Sequence, residues 1–267
     1  LDTIERFSYS SIETYKKCPF QFRLRYLDKI RKRAEGIEAF MGKRVHETLE
    51  YLYNEVLANR IPSLDTLMEK YQQVWDSNWH SEVAIVYQNG KISYYRQLGI
   101  KCIAGYYRMF SPFDQPVLAN ELELIFYLDD SSRYKMKGII DRLDRREDGV
   151  YEIHDYKTGK RLLSQTDADL DEQLALYHVA LIQTYPDVKE VKLVWHYLQH
   201  NTDVTSTRTG TQLETLVQRI KKRIDNIREH VQTGKEFVPK ETILCNWCYY
   251  WEECPAKSGS NPFLPNP

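Results

Sequence analysis

The sequence predicts an α/β fold, a β-sheet flanked by helices. Three observations carry that reading. Apolar residues recur at the period of an amphipathic helix in several long segments. Shorter segments between residues 117 and 199 instead alternate apolar with polar residues, or are rich in Val, Leu, Trp and Tyr, as strands are. The stretch Lys137–Lys160 reads as a strand, a polar turn at Asp148-Gly149 and a second strand, which makes a hairpin. The chain has 267 residues, 42% of them hydrophobic, enough for one large domain or two small ones with a sizeable core.

Taken in order, Ser10-Ser11-Ile12-Glu13 matches a capping box and predicts a helix start. The following segment, through Cys18-Pro19-Phe20 to Leu27, mixes aromatics with arginines, and Pro19 is expected to break or kink it. A helix over 37–57 carries Met41, Val45, Leu49, Leu52 and Val56 as its apolar stripe. His46 lies about 100° round from Val45, so it can face a cleft while the stripe packs. Gly42, one turn earlier, leaves room for a close approach. Helices follow over 64–79 and 92–110. In the second, Leu98, Cys102 and Tyr106 share a face, which makes Cys102 a core residue. Over 117–128, Leu122, Leu124, Phe126 and Leu128 alternate with Glu121, Glu123, Ile125 and Tyr127, a strand. The hairpin strands fall at 134–142 and 150–156. Residues 164–169 read as a polar loop and 171–185 as a helix with Leu170, Leu174, Tyr177 and Leu181 inward. Gln173 and Tyr177, four apart, are neighbours on that helix. A strand over 191–199 precedes a long amphipathic helix, Leu213 to Val231, ended by Gly234. Residues 258–267 look like a tail.

A net charge of −1 does not by itself point to nucleic acid. Charge is unevenly placed, however. Residues 16–33 hold eight basic side chains against one acid, Asp28, and the long helix carries Arg219, Lys221, Lys222, Arg223 and Arg228 on its other face. Either surface could bind phosphates or be a solvated face. The 20 tyrosines could supply stacking faces or packing. No apolar run reaches the length of a membrane span, so no membrane partner is expected, and the N-terminus has no signal-peptide pattern. Five cysteines, an odd number, then predict a reducing, cytoplasmic compartment rather than a disulfide scaffold.

Two groups of residues carry chemistry. The hairpin would bring Asp141 opposite Asp155 to within about one residue of register. Lys157, two positions after Asp155, points the same way. Converging carboxylates repel unless something positive lies between them, and a hard divalent cation with oxygen ligands fits. The competing reading is a solvated hairpin with ordinary surface charges. The second group is Cys245, Cys248 and Cys254, spaced by two and five residues and followed by Pro255, a metal-site pattern. Cys18, also followed by proline, is the remaining cysteine off a helical core stripe. As a fourth ligand it would staple the two ends of the chain together. The spacing leaves zinc and an iron–sulfur cluster both open, with buried thiols as the alternative.

Together these pieces resemble the RecB-like branch of the PD-(D/E)XK nuclease superfamily, and within it the members with an iron–sulfur cluster, such as CRISPR-associated RecB-like exonucleases and AddB-type nuclease domains. The resemblance runs over almost the whole chain. It rests on Ser8-Tyr9-Ser10-Ser11-Ile12 through Cys18-Pro19 to Tyr26, on Gly42 to His46, and on Gly138-Ile139-Ile140-Asp141. It continues through Asp155-Tyr156-Lys157-Thr158-Gly159, Gln173 to Tyr177, and the Cys245, Cys248, Cys254-Pro255 ending. Each motif alone is weak; six in the right order are specific. Aspartate stands at position 155 where glutamate is common elsewhere in the superfamily.

The resemblance implies a single nuclease domain over 1–267 with a mixed central sheet flanked by helices. It implies a helical insertion over 57–116 and an iron–sulfur region built from 1–30 and 240–257. His46, Asp141 and Asp155, with the Tyr156 carbonyl, would hold Mg2+ or Mn2+. Lys157 would orient or help deprotonate the attacking water, and Gln173 and Tyr177 would position the DNA strand. Cys18, Cys245, Cys248 and Cys254 would hold a [4Fe–4S] cluster, with zinc as the alternative. The implied activity is metal-dependent hydrolysis of DNA phosphodiesters, exonucleolytic on single-stranded ends, in repair, recombination or CRISPR adaptation. The chain carries no GxxxxGK[ST] motif, so a helicase would have to be a partner. The rival readings are a nuclease subunit of a helicase–nuclease complex, acting with helicase or CRISPR adaptation proteins, and a non-catalytic iron–sulfur DNA-binding module.

Overall fold

A computed structural model describes residues 4–86 and 91–264. Its centre is a five-stranded mixed sheet: β3 (Val117–Tyr127), β4 (Lys135–Arg145), β5 (Val150–Lys157), β6 (Glu190–Tyr197) and β7 (Thr202–Thr207), in that order. Two two-residue strands, β1 (Glu35–Gly36) and β2 (Val83–Ala84), pair separately. All neighbours in the main sheet are antiparallel except β5 and β6, which run parallel with Asp155 opposite Trp195. A parallel pair needs a crossover long enough to return the chain, and here it contains α6 (Gln165–Asp169) and α7 (Gln173–Thr184).

The remaining α-helices among the described residues are α1 (Tyr9–Lys17), α2 (Pro19–Phe22), α3 (Ile37–Leu57), α4 (Leu64–Asn78), α5 (Ile92–Phe110) and α8 (Gly210–Thr233), with a π-helical turn at Arg23–Leu27 and a 3-10 turn at Ile243–Trp247. The helix predicted to start at a Ser10 capping box starts earlier. Ser8 is the N-cap, in extended conformation, and exchanges side-chain-to-backbone bonds with Ser11. Cys18 ends α1 and caps α2, and Pro19 takes the first position of α2, where its missing N–H costs nothing. Residues 164–169, expected as a loop, contain α6. Its N-cap Ser164 accepts from Asp167 N–H. The long helix α8 ends at Gly234, which adopts the left-handed conformation (φ 64°) as the sequence suggested.

Two cores hold these elements. One lies between the sheet and α7 and α8, with Leu143, Ile153 and Leu193 packed on Leu174, Leu181 and Ile224. The other is built by α3, α4 and α5 around Phe40, Leu49, Tyr53, Trp75 and Tyr106, and includes the fully buried Cys102. Tyr156 of β5 belongs to this second core. The sheet is thus gripped at β5 from the helical side, and α3 is brought across the end of the sheet where β4 and β5 part. Among the described residues no helix is long and apolar enough to cross a membrane.

The chain ends meet. Lys32 pairs with Glu253 at 2.6 Å, and the Tyr250 hydroxyl donates to the Ile30 carbonyl at 3.0 Å.

Candidate active site

The site forms where three elements end together. The β4–β5 ladder closes at Arg142 opposite His154. One residue further, past the last paired rung, come Asp141 on β4 and Asp155 on β5. The Asp141 carboxylate, not a backbone carbonyl, takes the Tyr156 N–H at 2.8 Å. From α3, His46 Nε2 lies 2.8 Å from the Tyr156 carbonyl oxygen, and its Nδ1 lies 3.5 Å from Asp141 Oδ2. Asp155 is buried, with Lys157 Nζ 2.6 Å from its Oδ2. All five sequence-derived members, His46, Asp141, Asp155, Tyr156 and Lys157, therefore come together.

A sixth residue, not anticipated from the sequence, joins them. Glu121 of β3 faces Asp141 across the β3–β4 pair, in the gap between Asn120 opposite Arg142 and Leu122 opposite Ile140. Its backbone is left-handed (φ 47°), an unusual state for a non-glycine residue inside a strand. Ligand atoms of His46, Glu121 and Asp141 all lie within 4.8 Å of one another.

Electrostatics mark this spot. Burial pushes Asp141 up to about 6; His46 and Lys157 oppose the rise and Asp155 adds to it. Burial, then Asp141 and Glu50, push Glu121 up to about 7. Burial works against the charge on Lys157, but Asp155 and Asp141 outweigh it and hold the ammonium above its ordinary pKa. Lys157 is therefore protonated at neutral pH.

The donor set suits a hard divalent cation. Burial and the neighbouring carboxylates hold Asp141 and Glu121 at high pKa, a condition that a bound cation relieves. The 2.8 Å hydrogen bond between His46 Nε2 and the Tyr156 carbonyl oxygen holds the imidazole beside the carboxylates, with Nδ1 facing Asp141. A second group, Asp144, Glu152 and His154, is equally tight. There the Arg142 guanidinium already supplies the cation, 2.9 Å from Asp144 and 3.0 Å from His154, so this group is a buried ion-pair network.

A cleft of about 770 Å3 opens onto the site, walled by His46, Glu121, Asp141, Gln173 and Tyr177 among others. Gln173 Nε2 donates to the Tyr177 hydroxyl at 3.3 Å, the pairing expected four residues apart on α7. The Tyr177 ring passes over Gly138: a Cβ there would stand 2.3 Å from its Cε1. The glycine of the GxxD segment thus makes space for the tyrosine of the QxxxY segment.

The four cysteines, Cys18, Cys245, Cys248 and Cys254, line one small cavity away from this cleft. Burial raises Cys248 to about 11, and the three other sulfurs add to the rise. The α8 basic face, which the sequence left open as a phosphate-binding or a solvated surface, is largely committed within the protein. Arg219 and Arg223 both hold Glu172, Lys221 holds Asp129 at 2.8 Å, and Arg228 donates to the Arg133 carbonyl.

Comparison with known proteins places the chain in a family. Three curated sequences from Clostridium perfringens strains, each the B-type component of an ATP-dependent helicase/deoxyribonuclease, are 26% identical over 208 residues, 68% of this chain. The chain spans only 18% of the length of those relatives. The crystal structure of a candidate exonuclease from Eubacterium rectale superposes with a TM-score of 0.56 at 15% identity, covering 90% of this chain and 86% of that one, a likeness of fold. The model of the PD-(D/E)XK nuclease superfamily matches residues 6–255, from before α1 to just past the last cysteine. With that match running through both the carboxylate site and the cysteine segment, the chain belongs to the PD-(D/E)XK nuclease superfamily.

Proposed function

We propose that the protein is a metal-dependent DNA exonuclease acting on single-stranded ends. The observation that carries the reading is the convergence of His46, Asp141 and the Tyr156 carbonyl beside the Asp155–Lys157 pair. A non-catalytic binding module has no use for strained carboxylates where phosphates must approach. His46, Glu121, Asp141, Asp155 and the Tyr156 oxygen would hold Mg2+ or Mn2+. Such a cation, when bound, lowers the pKa of water and neutralises charge on the phosphate. Lys157, held as an ammonium by Asp155 and Asp141 in the absence of a cation, would orient or help deprotonate the attacking water. As an ammonium it would also donate to a phosphate oxygen as negative charge develops there. Gln173 and Tyr177 line the cleft where the strand would lie.

The four cysteines we assign to a [4Fe–4S] cluster, with zinc as the alternative. Their convergence from both chain ends in one cavity supports a structural staple. The resemblance to helicase/deoxyribonuclease components supports a second reading in which this nuclease works beside a helicase.

The test is an assay with end-labelled single-stranded and duplex DNA in Mg2+ or Mn2+. Progressive shortening of the single strand is expected. Intact DNA with both metals would return the protein to the binding-module reading. Anaerobically purified protein should be brown, with about four irons per chain. A colourless protein containing zinc would remove the cluster and leave the nuclease.

A further inference from the structure

The catalytic cleft adjoins a second groove. This groove has a volume of about 540 Å3, and Glu38, Ala39 and Thr158 line both hollows. Thr158 directly follows Lys157, and Ala39 lies on the first turn of α3. A strand lying across the carboxylates could therefore continue past these three residues into the second groove. We propose that the groove is a base-stacking subsite for the single strand cleaved next door. Trp247 and Tyr249 are its stacking faces and Lys160 its phosphate contact. The proposal rests on the nuclease reading above and adds where the strand goes.

The groove has the chemistry of a stacking site. Trp247 and Tyr249 stand on one wall, Met41 and Leu98 give apolar surface, and Lys160 stands exposed at the rim. Aromatic planes with a nearby cation bind single strands without regard to sequence, because every base has a π-face. The rings are fixed in advance. The Tyr249 hydroxyl accepts the Gly36 N–H at 2.6 Å, and Tyr95, on the far side, donates to Glu38 at 2.9 Å. Trp247 lies so close to Gly36 that a Cβ there would meet its Cδ1 at 3.3 Å. Rings already held lose little freedom when a base arrives. Charge also favours the strand. The catalytic cleft is walled by Glu38, Glu47, Glu50, Glu121 and Asp141 against Lys43 and Lys137, whereas the described residues lining the groove carry one carboxylate, Glu38, against Lys160. A polyanion is repelled in the first hollow until a cation is bound and meets far less repulsion in the second.

The groove also gives the cysteine segment a task beyond stapling. Trp247 stands between Cys245 and Cys248, and Tyr249 follows directly. Whatever orders the cysteines orders the stacking wall.

The experiment measures binding by fluorescence polarisation, using the full chain with Ca2+ replacing the catalytic metal. The probes are labelled oligothymidylates of about four and about twelve nucleotides, spanning the usual range of single-strand site sizes. Trp247→Ala and Lys160→Glu should each weaken the longer probe about tenfold, with a much smaller change for the shorter one, which the catalytic cleft holds by itself. Trp247→Phe should recover most of the loss. Lys160 follows β5 on another wall, so its variant reports on the groove even if Trp247→Ala disturbs the cysteine segment. Normal affinity of both variants for the longer probe would overturn the proposal. If the wild type meanwhile cuts DNA, the nuclease reading survives that failure. A wild type that neither binds nor cuts single strands fails at the nuclease reading itself and takes the groove with it.

Discussion

Asp141→Asn separates the cost of the site from its use. Burial and the neighbouring Asp155 raise the Asp141 carboxyl from 3.8 to about 6 in the metal-free protein. Two units at 1.36 kcal/mol each make about 3 kcal/mol of folding free energy. The sign follows from the direction. A carboxyl raised in the folded state costs nothing at a pH below its unfolded value, where it is protonated in both states. The stability is then lost as pH rises towards about 6 and stays lost above it. The amide of the variant never ionises, and its oxygen can still accept the Tyr156 N–H. In chelator at pH 8 the variant should therefore be more stable than wild type, by up to about 3 kcal/mol or roughly 5–10 °C in Tm. At pH 4 the difference should vanish. Mn2+ at a hundredfold excess over Kd should cancel most of that difference, because the wild type gains about 2.7 kcal/mol and the variant gains little, and a thousandfold excess, worth about 4.1 kcal/mol, should reverse the order. Thermal or urea unfolding at the two pH values, with and without Mn2+, measures all of this. A variant less stable than wild type in chelator at pH 8 would refute the strained-charge argument. Equal stabilisation of both proteins by Mn2+ would remove Asp141 from the cation site.

Lys157→Ala should lower cleavage at least about a hundredfold while changing single-strand affinity by no more than about twofold, because the lost ammonium acts on charge that develops during the reaction; steady-state rates and polarisation measure the two, and full activity would remove Lys157 from the mechanism. Glu121 must lose its proton to bind a cation, so Mn2+ affinity should fall as pH drops below about 7, and Glu121→Gln should both weaken binding and flatten that dependence in a calorimetric titration. Gly138→Ala forces a methyl to within 2.3 Å of the Tyr177 ring. It should destabilise the fold by about 1–3 kcal/mol and displace Tyr177 from the cleft, seen as a lower Tm together with a raised KM for DNA.

The long amphipathic segments were legible because their period is local: α3 and α5 run over the residues their apolar spacing marked. The Asp141–Asp155–Lys157 geometry was legible for a similar reason, since strand alternation and one tight turn determine it. The failures share a cause too. Strand β7, Thr202–Thr207, is an edge strand of polar residues whose only burial is at Val204 and Ser206, so it has almost no hydrophobic alternation to read. The end of β4 hid because Arg142 and Asp144 look like turn residues, yet both are almost fully buried in mutual contact. Glu121 read as the solvent-facing neighbour of Leu122. Its place in the site depends on a left-handed backbone and on a cross-strand partner twenty residues away, and neither leaves a local trace.

The buried network next to the site explains why the register holds there. Along β4 and β5, site residues alternate with network residues: Asp141 precedes Arg142, and Asp155 and Lys157 flank Tyr156 after His154. Arg142 reaches the Tyr53 and Tyr106 hydroxyls and Asp144, and His154 stacks on His196 with ring centroids 5.1 Å apart. Burial and the adjacent guanidinium hold His154 down to about 3, so it is neutral and adds no second cation. A slip of one residue would exchange the two sets. It would bury Asp141 and Asp155 against tyrosines and carry the guanidinium into the place where the carboxylates should meet. Each exchange leaves an uncompensated charge in the interior, at about 3–5 kcal/mol for each broken buried pair. The ion-paired core thus enforces register at the last rungs of the ladder, one residue before the carboxylates that depend on it.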